Sequence, residues 1–136
     1  VRIGEVFAWQ GREGVLIQVR SQGLPPGAHA VHVHAAGSCD DIGSFTASGG
    51  HVATDGGRHG FLHPDGTHAG DLPNIYVHND GFAQADYFSV ALTLTDLTDP
   101  DGVALIIHAK PDDYQSQPIG GAGVRIACAA FGPSEP

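Results

Sequence analysis

Apolar and polar positions alternate along this chain in short runs. Val15, Ile17 and Val19 fall on one face of an extended segment, Val31 and Val33 on one face of a second, and Val90, Leu92 and Leu94 on one face of a third. No window sustains a helical repeat. Asp55-Gly56, Asp65-Gly66, Asp80-Gly81 and Asp101-Gly102 divide the runs, and such pairs favour tight turns. Short strands separated by turns predict an all-β antiparallel sandwich or barrel. No internal repeat or low-complexity linker divides the sequence, so residues 1–136 are expected to form one domain, with Gly132 to Pro136 as a frayed tail.

The segment from Ala35 to Leu72 breaks this pattern. It is rich in Gly, Asp and His, poor in large apolar residues and longer than an ordinary connection. A hydrophobic core cannot hold such a segment, so another force must. Elsewhere the balance is ordinary for a globular chain, with 41 % hydrophobic and 15 % charged residues, and no stretch approaches the apolar length of a membrane span. The chain begins at Val1 without a basic and apolar leader, so any signal peptide is expected to have been removed or left out.

The net charge of −9, with six Lys and Arg scattered along the chain, argues against a nucleic acid or an anionic membrane as partner. The two cysteines, Cys39 and Cys128, lie too far apart for a CxxC motif and form either one disulfide or two free buried thiols. One disulfide is the simpler reading. It would remove about 4 to 5 kcal/mol of unfolded-chain entropy and would place the protein in an oxidising compartment, periplasmic or secreted.

Histidine stands out, with nine residues. His32, His34, His51, His59, His63, His68 and Asp71 lie in or beside the long segment, and His108 ends the strand-like run Ala104 to His108. Imidazoles with a carboxylate suit zinc and copper better than calcium or magnesium. If Val31 and Val33 point into the core, His32 and His34 project together from the other face and can chelate one ion. His51, His59, His68 and Asp71 can wrap a tetrahedral ion and so order a loop that lacks apolar residues.

These residues also carry a resemblance. Ala30-Val31-His32-Val33-His34 with Gly37 and Cys39, Gly49-Gly50-His51, His59-Gly60, His68 to Asn74, His108 with Asp112-Asp113, and Gly123 to Cys128 resemble the Cu,Zn superoxide dismutases, especially bacterial ones, over nearly the whole chain. The resemblance implies a Greek-key β-sandwich or flattened barrel with a long metal-binding loop and a second active-site loop. It implies a copper ion on His32, His34, His51 and His108 and a zinc ion on His51, His59, His68 and Asp71, with His51 bridging them. It makes Asp112 the carboxylate between His32 and His59, pairs Cys39 with Cys128, and gives superoxide as the anionic substrate; in so acidic a chain a local positive field must draw that anion in, with Arg125 expected to supply it first and Lys110 second. In the implied reaction superoxide becomes dioxygen and peroxide, copper cycles between its two oxidation states and His51 carries a proton. His29, His63 and His78 have no place in this ligand set and are assigned to surface or structural roles.

The resemblance has gaps. The chain start matches the family's second strand better than its first, so one strand is expected to be absent or cropped, and the stretch from Ala109 to Val124 is shorter than in eukaryotic members. Ile119 and Gly121 depart from the usual residues beside the copper approach. A monomer and a homodimer are equally open. Two other functions remain in view: a non-enzymatic copper and zinc binding protein for storage or delivery on the same fold, and an adhesive immunoglobulin-like module in which the long loop binds no metal.

Overall fold

The computed structural model describes residues 3–41, 44–52 and 57–131. The alternating runs become seven strands: β1 (Gly4–Gln10), β2 (Val15–Ser21), β3 (Gly27–His34), β4 (Asp71–Val77), β5 (Ala83–Ser89), β6 (Val103–His108) and β7 (Arg125–Phe131). Three form one sheet in the order β1-β2-β5 and four form the other in the order β4-β3-β6-β7, with every pairing antiparallel. Among the described residues, helix is limited to a short α1 (Leu94–Leu97) and one 3-10 turn at Thr46–Ser48. None is long and apolar enough to cross a membrane.

The core lies between the sheets and follows from the period-two pattern. Val15, Ile17 and Val19 of β2 face Val31 and Val33 of β3, Ile75 of β4 and Leu105 of β6, all of them buried. Each such side chain contributes on the order of 1.5–3 kcal/mol on leaving water. β6 is buried at every position, with Val103, Leu105 and Ile107 in the core. On the outer face His32 pairs with Ile106 and with Asp71, and His34 pairs with Ala104, so the register brings the HxH pair and Asp71 to one surface of the sheet.

Val90, Leu92 and Leu94 do not form a strand. β5 ends at Ser89, opposite Val15, the first residue of β2, so no partner remains for Val90, which is exposed. Thr93 instead caps α1: its hydroxyl accepts from Asp96 N while Asp96 accepts from Thr93 N. Leu92 reaches the core without the strand. The turn expected at Asp55-Gly56 and the tail from Gly132 to Pro136 lie outside the described residues.

The sandwich is closed along one flank, where β4 and β5 pack together. Along the other, the outer strands β1 and β7 bound a groove of about 280 Å³ lined by Ile3, Val6, Leu105, Ile107 and Ile126.

Candidate metal centre

The outer face of β3 supplies two imidazoles and the long loop brings the others to them. A single antiparallel bridge pairs His34 with His51, Ala35 N donates to Gly50 O at 2.8 Å, and Val52 N donates to Val33 O at 2.9 Å. Those bonds place the His51 ring 4.1 Å from His32 and 4.8 Å from His34, centroid to centroid. Among the described residues two sets of donors result, each with ligand atoms within 4.8 Å of one another: His32, His34, His51 and His108, and His32, His51, His59 and Asp71. His68 lies beside the second set, its Nδ1 3.2 Å from His51 Nδ1 and 3.8 Å from Asp71 Oδ1.

Hydrogen bonds at the second ring nitrogens decide which atoms remain for an ion. His34 Nδ1 lies 2.7 Å from Gly49 O, and His108 Nδ1 3.1 Å from Gly123 O. His32 Nε2 and His59 Nε2 reach the two oxygens of Asp112, at 2.7 and 2.8 Å. His32 therefore turns Nδ1 toward His108 Nε2, 3.2 Å away, and belongs with the first set. His34 Nε2 and His51 Nε2 are buried with no hydrogen-bond partner. A buried polar atom without a partner is costly, and two aimed into one cluster of imidazoles fit a metal ion. His51 Nδ1 faces the other way, 3.1 Å from Asp71 Oδ1.

Burial lowers His34 to a pKa of about 2 and His51 and His108 to about 4, more than offsetting what their acceptors add, so all three are neutral at physiological pH. Nearby Arg125 also pushes His34 and His108 down. His59 differs. Burial lowers it, but hydrogen bonds to Asp112 and Asp71 outweigh burial and raise it to about 9. Burial would raise both carboxylates, yet bonds from His51, His59, Thr67 and Gly60 hold Asp71, and bonds from His32, His59 and Tyr114 hold Asp112, well below the usual range.

The loop carrying His51 is fastened to β7. Arg125 Nη1 donates to Phe45 O at 2.8 Å and to Ser48 Oγ at 2.7 Å, and Nη2 donates to Gly49 O at 2.8 Å. The Cys39–Cys128 disulfide, with Cα atoms 5.8 Å apart, ties the same loop to β7.

The copper/zinc superoxide dismutase family model matches residues 3–131. The chain belongs to that family. It is 42 % identical to the Cu-Zn superoxide dismutase of Caulobacter vibrioides, over 94 % of this chain and 77 % of the relative. It is also 42 % identical to Cu-Zn superoxide dismutase 2 of Aquifex aeolicus, over 95 % and 78 %. The solved Cu/Zn superoxide dismutase of Brucella abortus superposes with a TM-score of 0.78 at 30 % identity, covering 95 % of this chain and 88 % of that one. Membership brings the function, superoxide dismutation by an enzyme with copper and zinc as cofactors, and the histidine groups are able to hold those metals.

Several residues of this superoxide dismutase site carry no strong sequence signal. Asn74 binds both main-chain groups of Asp112, and Gln117 does the same for His59. Gly120 packs on the Asp112–His59 contact, where any Cβ would collide with Asp112 Oδ1. His29 is buried, its two ring nitrogens 2.8 Å from His108 O and 2.6 Å from Pro25 O. His63 accepts from Asp65 N at 3.0 Å, and His78 is exposed beside Phe82.

Proposed function

We propose that this chain carries out superoxide dismutation with copper held by His32 Nδ1 and by Nε2 of His34, His51 and His108. Zinc would be held by His51, His59 and His68, through Nδ1, together with Asp71. The observation that carries the assignment is the bipolar environment of His51: Nε2 is buried without a partner among the first set of imidazoles, and Nδ1 faces Asp71 and His68. Copper, when bound, supplies the one-electron redox change that zinc lacks. The protein residues do the rest. Asp112 fixes the tautomers of His32 and His59, Gly49 O and Gly123 O fix those of His34 and His108, and these four imidazoles are thereby presented ready-aimed. With zinc on Nδ1, His51 Nε2 is the atom that would take a proton when it is free of copper and return it for peroxide formation. Arg125 is partly exposed beside this set and attracts the substrate anion while its own contacts hold it still. The disulfide supports an extracytoplasmic location, periplasmic or secreted.

The test is superoxide decay after rapid mixing, with protein carrying one copper and one zinc and freed of loose copper by a chelator. Decay should be fast in the parent protein, vanish in His108→Ala and fall in Arg125→Ala. Decay no faster than a chelated-copper blank, with both metals bound, would overturn the assignment in favour of metal handling without catalysis.

A further inference from the structure

The loop after β6 lies across the zinc-side donors. Leu62 N donates to Tyr114 O at 2.9 Å and Tyr114 N to Asp112 Oδ1 at 2.7 Å, while Gly120 covers the contact between Asp112 and His59. One side chain of this loop grips a proposed ligand directly. Gln117 Oε1 accepts from His59 N at 2.9 Å, and Gln117 Nε2 donates to His59 O at 2.7 Å and to Gln115 O at 2.9 Å. Gln117 is exposed, whereas the His59 side chain is wholly buried.

A planar amide that satisfies both the N–H and the C=O of one residue fixes that residue's position and its rotation about the chain. The His59 ring must keep Nδ1 toward Asp71 Oδ1 and Nε2 toward Asp112 Oδ1, each 2.8 Å away, and a swing at its main chain breaks both. The partner carboxylate is gripped in the same way, since Asn74 Nδ2 donates to Asp112 O at 3.1 Å and Asp112 N donates to Asn74 Oδ1 at 2.8 Å. The contact between ligand and carboxylate is therefore held from both ends. Gln117 adds nothing to the apolar core, so its two bonds to His59 serve the site and not the sandwich.

We infer that Gln117 is a positioning residue for zinc, locking the main chain of His59 beneath the second loop and slowing release of the ion. This rests on the assignment of zinc to His59 above. The test uses the full chain loaded with copper and zinc, with Gln117→Ala and Gln117→Glu beside the parent. Zinc transfer to an excess of a chromophoric chelator is followed at pH 7, and cobalt(II) loaded in place of zinc reports ligand geometry through its visible bands. Two net hydrogen bonds correspond to a release rate raised on the order of tenfold in Gln117→Ala. Gln117→Glu should show a smaller rise, because a carboxylate still accepts from His59 N but cannot donate to His59 O. The cobalt bands should shift in both variants, a change of ligand geometry that a loss of folding stability alone would not produce. Equal release rates and identical bands in parent and Gln117→Ala, each holding one zinc, would overturn the inference alone. A parent chain whose cobalt bands survive His59→Ala would overturn the zinc assignment, and the inference with it.

Discussion

His59 shows how a single residue couples metal and proton. Burial disfavours its charge, yet carboxylates at both ring nitrogens outweigh that and keep it an imidazolium up to about pH 9 in the metal-free protein. Zinc can take Nδ1 only after that nitrogen gives up its proton. The sign follows directly: below pH 9 the proton competes with zinc, so apparent zinc affinity should gain about tenfold per pH unit from this residue as pH rises, and level off above 9. His34 and His108 are already neutral at pH 7 and release nothing there when copper binds, whereas His51, also neutral, gives up its remaining proton once both metals share its ring. Titration calorimetry in buffers of different ionisation enthalpy should find close to one proton released by His59 with zinc at pH 7, absent in His59→Ala. The same release from parent and variant would remove His59 as its source. The imidazoles were visible in the sequence because histidine is scarce and a strand puts alternate residues on one face. Gln117 was not, and Asn74 stood only at the end of a motif with no role attached, because amides are common and only the folded loop shows which main chain they meet.

At the scale of elements, the alternating pattern revealed strands where a partner exists along their whole length. Val15, Ile17 and Val19 read correctly because β1 and β5 flank β2 on both sides. Val90 to Leu94 carried the same alternation but lay beyond the last residue that β2 could pair, and a capping box turned them into a helix start. The long loop had no pattern to read, because it is held by side-chain bonds and a cross-link. Cys39–Cys128 closes a separation of 89 residues, which in the loop-entropy account stabilises by about 4 to 5 kcal/mol. Cys39→Ser with Cys128→Ser should lower the unfolding free energy of the metal-free protein by about 2–5 kcal/mol in urea titration. It should also speed proteolysis within the loop, because the hold of residues 45–49 on β7 then falls to the three hydrogen bonds of Arg125. A midpoint and a cleavage pattern identical to those of the parent would show that the Arg125 contacts suffice without the cross-link.

For the whole molecule, the problem is an anionic substrate and an acidic protein. Superoxide dismutases are a standard example of electrostatic steering and of turnover near the diffusion limit, so steering itself is taken over from the family. What this chain decides is the sign of the salt response. Its net charge of −9 repels superoxide at long range, while Arg125, close enough to lower His34 and His108, attracts it at short range. Salt shortens the reach of both, to about 10 Å at 0.1 M. With Arg125 in place the attraction near the site dominates the approach, so the decay rate should fall as ionic strength rises from about 0.01 to 0.1 M. In Arg125→Ala the local attraction is gone, only the global repulsion remains to be screened, and the slower rate should rise with salt. Rapid-mixing rates over that range separate a guiding charge from a purely structural one, since the loss of loop contacts alone would reduce the rate without reversing its slope. An unreversed slope in Arg125→Ala would assign the field to other cations, Lys110 first among them.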